Sequence, residues 1–219
     1  MPIELDEKRE AILSAEGHIL VLGGPGAGKT TIALLKAKAL FPQLAPGQKL
    51  LFLSFSRAAV RQVLKGCQAL LTSEERRAIE VKTYHAFCME LLQSHGKLLT
   101  GRSVSILFPT QERLEKARFV GDWDEERRRQ AQDEARYCFD LFARGVADLI
   151  ERSSKVRELL AACYPTIIVD EFQDTDDEQW RIVRQLASVA RVFCLADRDQ
   201  RIFDYRDDID PRRIESFQD

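Results

Sequence analysis

Short apolar runs alternate with stretches of helical period along most of the chain, the pattern of a parallel sheet covered by helices. His18 to Leu22 reads as a buried strand that runs straight into Gly23-Gly24-Pro25-Gly26-Ala27-Gly28-Lys29-Thr30. Thr30 to Leu40, rich in Ala, Leu and Lys, predicts a helix stopped near Pro42. Leu50 to Ser54 is a second buried strand and Arg57 to Leu71 a helix. Glu80 to Lys82 fits a short strand, followed by a helix from about Tyr84 to Ser94. Thr166 to Val169 is a strand ending in two carboxylates, Asp176 to Ala187 a helix, and Val192 to Ala196 a last buried strand.

The middle section, about Gly96 to Tyr164, differs. From Asp124 to Arg152 charge is dense on one side, while Ala131, Ala135, Cys138, Phe139, Phe142, Val146 and Leu149 recur three or four apart on the other. This predicts an amphipathic helix or helix pair without strands. The expected division is a P-loop domain over 1–95 and 165–219, with a helical insertion over 96–164. No internal repeat, low-complexity tract or Pro/Gly linker marks a flexible junction.

Composition narrows the class without naming a function. The 219 residues are 45% hydrophobic and 31% charged, enough for one substantial core with a small satellite. No apolar run approaches the roughly 20 residues that cross a bilayer, and the polar first ten residues are unlike a signal peptide. Cys67, Cys88, Cys138, Cys163 and Cys194 are odd in number and form no CxxC pair. Buried or idle thiols in a reducing cytoplasm are expected, rather than a metal site or disulfide frame. A net charge of −2 excludes a wholesale basic coat but not a local basic groove. Arg127, Arg128 and Arg129 directly follow Asp124, Glu125 and Glu126, which favours a solvated face over a phosphate-backbone contact.

The chemistry begins at the glycine-rich segment. Gly23, Gly28, Lys29 and Thr30 fit GxxxxGK[ST], with a predicted strand before and a helix after. Glycines allow the tight turn that points successive N–H groups at phosphate oxygens, and the following helix adds the positive end of its dipole. The expected nucleotide cradle comprises Gly23, Gly24, Pro25, Gly26, Ala27, Gly28, Lys29, Thr30 and Thr31. Lys29, expected to face solvent until a nucleotide arrives, reaches the β- and γ-phosphates, and the Thr30 hydroxyl ligates Mg²⁺. Asp170 and Glu171 end a buried strand at the sheet edge where ligands bind. Asp170 is expected to hold Mg²⁺, while Glu171 accepts a proton from an attacking water, which favours hydrolysis over phosphotransfer.

From Asp170 onward, Asp170-Glu171-Phe172-Gln173-Asp174-Thr175 resembles the DEFQDT signature of the UvrD/Rep family of superfamily 1 helicases. Ser54-Phe55-Ser56-Arg57-Ala58-Ala59 is similar to that family's TFTNKAA block, and Thr83-Tyr84-His85-Ala86-Phe87-Cys88 to its TFHSFC block. The run from Ala196 to Arg206 resembles GDxDQSIYxWRG. The resemblance implies a RecA-like motor domain that binds ATP with Mg²⁺ and lies on single-stranded DNA. It makes Gln200 a sensor of the γ-phosphate and places Phe55, Arg57, Tyr84, His85, Phe203 and Tyr205 along the strand path. Aromatic faces there stack any base, and Arg57 meets backbone phosphate. Phe55 and Phe87 read equally well as core residues.

Several positions depart from the family. Lys8 stands where the family has an adenine-reading glutamine. Lysine has no acceptor, so ATP and GTP are expected to bind with similar affinity. Ala196, Arg201 and Phe203 replace the family's Gly, Ser and Tyr. The chain stops at Asp219, ahead of the second motor domain whose arginines complete the site in the family; Arg206, Arg212 and Arg213 are the nearby candidates within it. The reading is therefore the first motor domain of a DNA helicase or translocase, a weak ATP hydrolase by itself. The alternative is a regulatory ATP-binding module without motor activity.

Overall fold

The computed structural model describes residues 6–198, 209–210 and 212–217. In chain order the first elements are α1 (Glu7–Ser14), β1 (Ile19–Leu22), α2 (Lys29–Leu40), β2 (Leu50–Ser54), α3 (Arg57–Leu70), β3 (Ile79–Thr83) and α4 (Tyr84–His95). There follow α5 (Lys97–Thr100), β4 (Ser105–Leu107), α6 (Pro109–Arg118), α7 (Trp123–Glu134), β5 (Arg136–Cys138) and α8 (Phe142–Arg152). The chain then adds α9 (Ser154–Cys163), β6 (Thr166–Val169), α10 (Asp177–Ala187) and β7 (Arg191–Ala196). They form two compact units, residues 1–83 with 158–219 and residues 84–157.

The first unit is built on a five-stranded sheet in the order β1-β7-β6-β2-β3, every neighbouring pair parallel. Strands covered on both faces read as unbroken apolar runs, because no side chain alternates towards water. Thus β2 and β6 are buried at every position. Leu50, Phe52, Ile168, Phe193 and Leu195 turn one face to the Ile32, Ala33, Leu34, Ala37, Val63 and Cys67 side chains of α2 and α3. The alternate residues Leu51, Leu53, Ile167, Val169, Val192 and Cys194 are equally buried. α10 packs against β7 and buries Ile182, Val183 and Leu186. Parallel pairing brings the C-terminal ends of all five strands to one edge, which is the edge the sequence motifs follow.

Helix α1 has no counterpart in the apolar pattern. It buries no residue, so propensity and capping alone announce it: Asp6 Oδ1 accepts from Arg9 N at 2.8 Å. Its far end is held from α2, where the buried Lys36 ammonium donates to Leu13 O and Ala15 O at 2.6 Å each. Burial lowers the Lys36 pKa, and the Arg191 charge lowers it further.

The second unit corrects the expectation of a strand-free helical insertion. β4 and β5 form a two-stranded parallel ladder, with Ser105, Ile106 and Leu107 beside Arg136, Tyr137 and Cys138. Ala135, at φ 54°, takes the left-handed conformation and ends α7, so the continuous periodicity from Asp124 to Arg152 is cut into helix, strand and helix. The unit starts earlier than the insertion expected over 96–164, because α4 packs along α8, and it ends within α9. Arg127 pairs with Asp140 at 2.5 Å and Arg129 with Glu126 at 2.7 Å. Two of the three consecutive arginines thus carry their own counter-charges. Among the described residues no helix is long and apolar enough to cross a membrane.

Candidate nucleotide site

At the end of β1 the ladder continues one bond further, Gly23 N donating to Ala196 O of β7 at 3.1 Å. The chain then turns back through Gly26 and Gly28, at φ 70° and 83°, values that a Cβ would strain. Gly28 is the N-terminal boundary residue of α2, so the loop delivers the open N–H end of a 12-residue helix to the sheet edge. Gly23 is also sterically confined: a Cβ there would meet the Ala27 Cβ at 3.2 Å and the Lys29 Cγ at 3.4 Å.

Lys29 does not face solvent. Its ammonium folds back to donate to Gly23 O at 2.6 Å, Gly24 O at 3.2 Å and Asp197 Oδ2 at 3.3 Å. The side chain is 12% exposed and that of Asp197 1%. The sequence expectation of a free lysine is corrected by this pair, because a cation beside loop carbonyls and a buried carboxylate gains more than it would extended into water.

The carboxylate pair lies at the end of β6. Asp170 N donates to Leu53 O of β2 at 2.9 Å, continuing the sheet one residue past the strand. Burial pushes the Asp170 carboxyl up to about 6, and the neighbouring Glu171 charge adds to this, against a lowering by Lys29. Glu171 has φ 49°, a left-handed conformation rare for a side chain of its length. Its carboxylate accepts from Gln173 Nε2 at 2.8 Å, while Gln173 Oε1 accepts from Asp197 N at 3.0 Å. Gln173 thereby ties Glu171 to the residue that pairs with Lys29. Neither Gln173 nor Asp197 stood among the residues expected to build the site, although both lie inside the quoted blocks. A buried amide in a run of acids was the available signal.

The remaining expected residues fall as follows. Pro25, Gly26 and Ala27 are exposed at the loop tip, and Thr30 and Thr31 are half-buried in the first turn of α2. Phe55 is half-buried and Arg57 exposed at the end of β2 and the start of α3. In the second unit Tyr84 is buried, at 1% exposure, as is Phe87. His85 is exposed, its ring 6.1 Å from that of Phe139. Gln200, Phe203 and Tyr205 lie outside the described residues, as does Arg206. Arg213 is buried and committed: Nη2 donates to Asp177 Oδ1 at 2.6 Å, Nε donates to Thr175 O at 3.3 Å, and the guanidinium lies over Trp180.

The sequence that carries these features matches a known domain. The model of the UvrD/REP helicase N-terminal domain matches residues 5–134 and 107–219. The chain belongs to this family. Similar curated proteins include ATP-dependent DNA helicase PcrA of Staphylococcus aureus (strains Mu50 and NCTC 8325), 24% identical over 97% of this chain. PcrA of Staphylococcus epidermidis (strain ATCC 12228) is likewise 24% identical over 97% of the chain. The chain spans about a third of those relatives' length, 35% in each case. Within the UvrD/REP family frame, the α/β P-loop architecture expected from the sequence is the one observed.

Proposed function

We propose that this chain is an N-terminal motor domain that binds ATP with Mg²⁺, hydrolyses it, and uses the cycle to move on single-stranded DNA together with a second motor domain. The single observation that carries the reading is the link from Lys29 to Asp197 to Gln173 to Glu171. It joins the phosphate-binding lysine to the expected general base through two strand ends. Relatives that are ATP-dependent DNA helicases support the nucleotide and the polymer.

The residues present fit a divalent cation. Asp170 is 6% exposed, its carboxyl is held up to about 6, and the Glu171 carboxylate stands beside it. Such a site has an excess of negative charge that a hard cation with oxygen ligands would relieve. Thr30 and Asp170 would hold Mg²⁺, which when bound neutralises phosphate oxygens of the nucleotide. Lys29 exchanges its loop carbonyls for β- and γ-phosphate oxygens, and N–H groups at the start of α2 orient the chain of phosphates. Glu171, kept off the strand axis by its left-handed backbone, takes the proton of the attacking water; Gln200 senses the γ-phosphate. In the first unit Phe55, Arg57, Phe203 and Tyr205 contact the DNA strand; His85 of the second unit is proposed separately as a DNA contact.

Calorimetric titration with adenylyl imidodiphosphate tests the nucleotide site. The parent binds, and Lys29→Ala loses at least about tenfold in affinity, the size of one charge-assisted contact. An unchanged affinity would remove the glycine loop as the site.

A further inference from the structure

Ser54 closes β2 one residue beyond the last β2–β6 pair, Leu53 beside Val169, and Asp170 N bonds Leu53 O across the same step. The ladder therefore sets Ser54 beside Asp170 on adjacent parallel strands, which run about 4.8 Å apart and turn paired side chains to one face. Ser54 is 0% exposed, and its Oγ has no hydrogen-bond partner among the described residues. A buried hydroxyl without a partner is destabilising, and alanine would fill the same space without that cost. The sheet thus carries an unpartnered buried hydroxyl one strand from a buried carboxylate, at the edge where the strands end.

We propose that Ser54 is a positioning residue of the magnesium–nucleotide centre: its hydroxyl serves the ionised, metal-holding Asp170 carboxylate and fixes that carboxylate's orientation towards the cation. The inference rests on the nucleotide reading above and deepens it by assigning a role to a residue outside the cradle and the carboxylate pair. In this proposal Ser54, being fully buried, acts only through Asp170. A residue of this kind shows itself in how affinity depends on the metal, whereas a packing residue shows itself in stability.

The test compares the full chain with Ser54→Ala by thermal melting without nucleotide and by calorimetry with adenylyl imidodiphosphate, in EDTA and in Mg²⁺. The variant keeps or raises the melting temperature, because it deletes an unbonded buried hydroxyl. Affinity in EDTA matches the parent's. In Mg²⁺ it falls about tenfold, the size expected for one hydrogen bond to a charged group. Equal affinities of parent and variant in Mg²⁺ would overturn the assignment. So would a lowered melting temperature with equal losses in EDTA and Mg²⁺, which would make Ser54 a packing residue. A parent chain that binds nucleotide in neither condition would overturn the proposed function along with it.

Discussion

Charge at the sheet edge is arranged against local solvation. Lys29 is drawn onto Gly23 O, Gly24 O and the buried Asp197, so a phosphate must offer it more than these three acceptors do. The lysine also steadies the loop, and its truncation should therefore lower stability as well as affinity. Asp170 shows the opposite balance, with burial and Glu171 outweighing Lys29. Holding its proton favours the fold, an advantage complete below its ordinary value of 3.8 and gone above about 6. In nucleotide-free protein Asp170→Asn should therefore be more stable than the parent at pH 8, by roughly 1–3 kcal/mol. The difference should shrink as pH falls through about 6. Urea unfolding at a series of pH values measures it, and a gap independent of pH would show that the carboxyl titrates normally.

The elements were legible where burial wrote a periodic signal. β2 and β6 stood out because both their faces are covered, leaving apolar runs with no polar interruption. α10 announced itself through its amphipathic face and the reciprocal Asp176–Gln179 capping box. α1 was invisible because none of its residues is fully buried, Ile12 and Leu13 packing only in part against the core, and because it depends on Lys36, whose partners lie 21 and 23 residues away. β4 and β5 are three residues each, too short to alternate, and Arg136 sits inside one of them. The Lys29–Asp197 pair joins positions 168 apart, beyond any local pattern. The last described segment is another tertiary construction. Arg213 reaches Thr175 O, Asp177 and Trp180, Ile214 is buried, and the Phe217 ring lies 5.4 Å from that of Phe172, the residue after the carboxylate pair. Asp177 is itself 66% exposed at its side chain, so the ion pair is screened and the stacking and carbonyl bond carry more of the effect. Arg213→Ala should lower stability by about 1–3 kcal/mol, seen as an earlier urea midpoint with an unchanged slope. A midpoint equal to the parent's would mean that this segment is not anchored through the arginine.

At the scale of the whole molecule, the proposed function gives the first unit nucleotide binding and a base and requires one further charge to be met. As the γ-phosphoryl group departs, negative charge spreads over its oxygens, and Mg²⁺ with Lys29 meets only part of it. Phosphoryl-transfer enzymes commonly add an arginine there, worth about 10³–10⁵ in turnover. Arg213 cannot serve, being buried among Thr175, Asp177 and Trp180. Arg212 is exposed, its backbone N–H held by Asp210 Oδ1 at 2.8 Å, and Arg206 lies outside the described residues. The chain covers about a third of the PcrA relatives' length, 35%, and in the proposed function the completing arginines come from the second motor domain. The 219-residue chain should therefore bind Mg²⁺–ATP yet release phosphate far more slowly than the roughly 1–100 per second typical of kinases. Single-stranded oligonucleotide should stimulate it little, because closure of a second domain over the nucleotide is what couples DNA to hydrolysis in this proposal. A steady-state phosphate-release assay with and without oligonucleotide decides the matter. Turnover of several per second that Glu171→Gln abolishes would show the chain to be a self-sufficient ATPase, and Arg206 would then be the first arginine to replace.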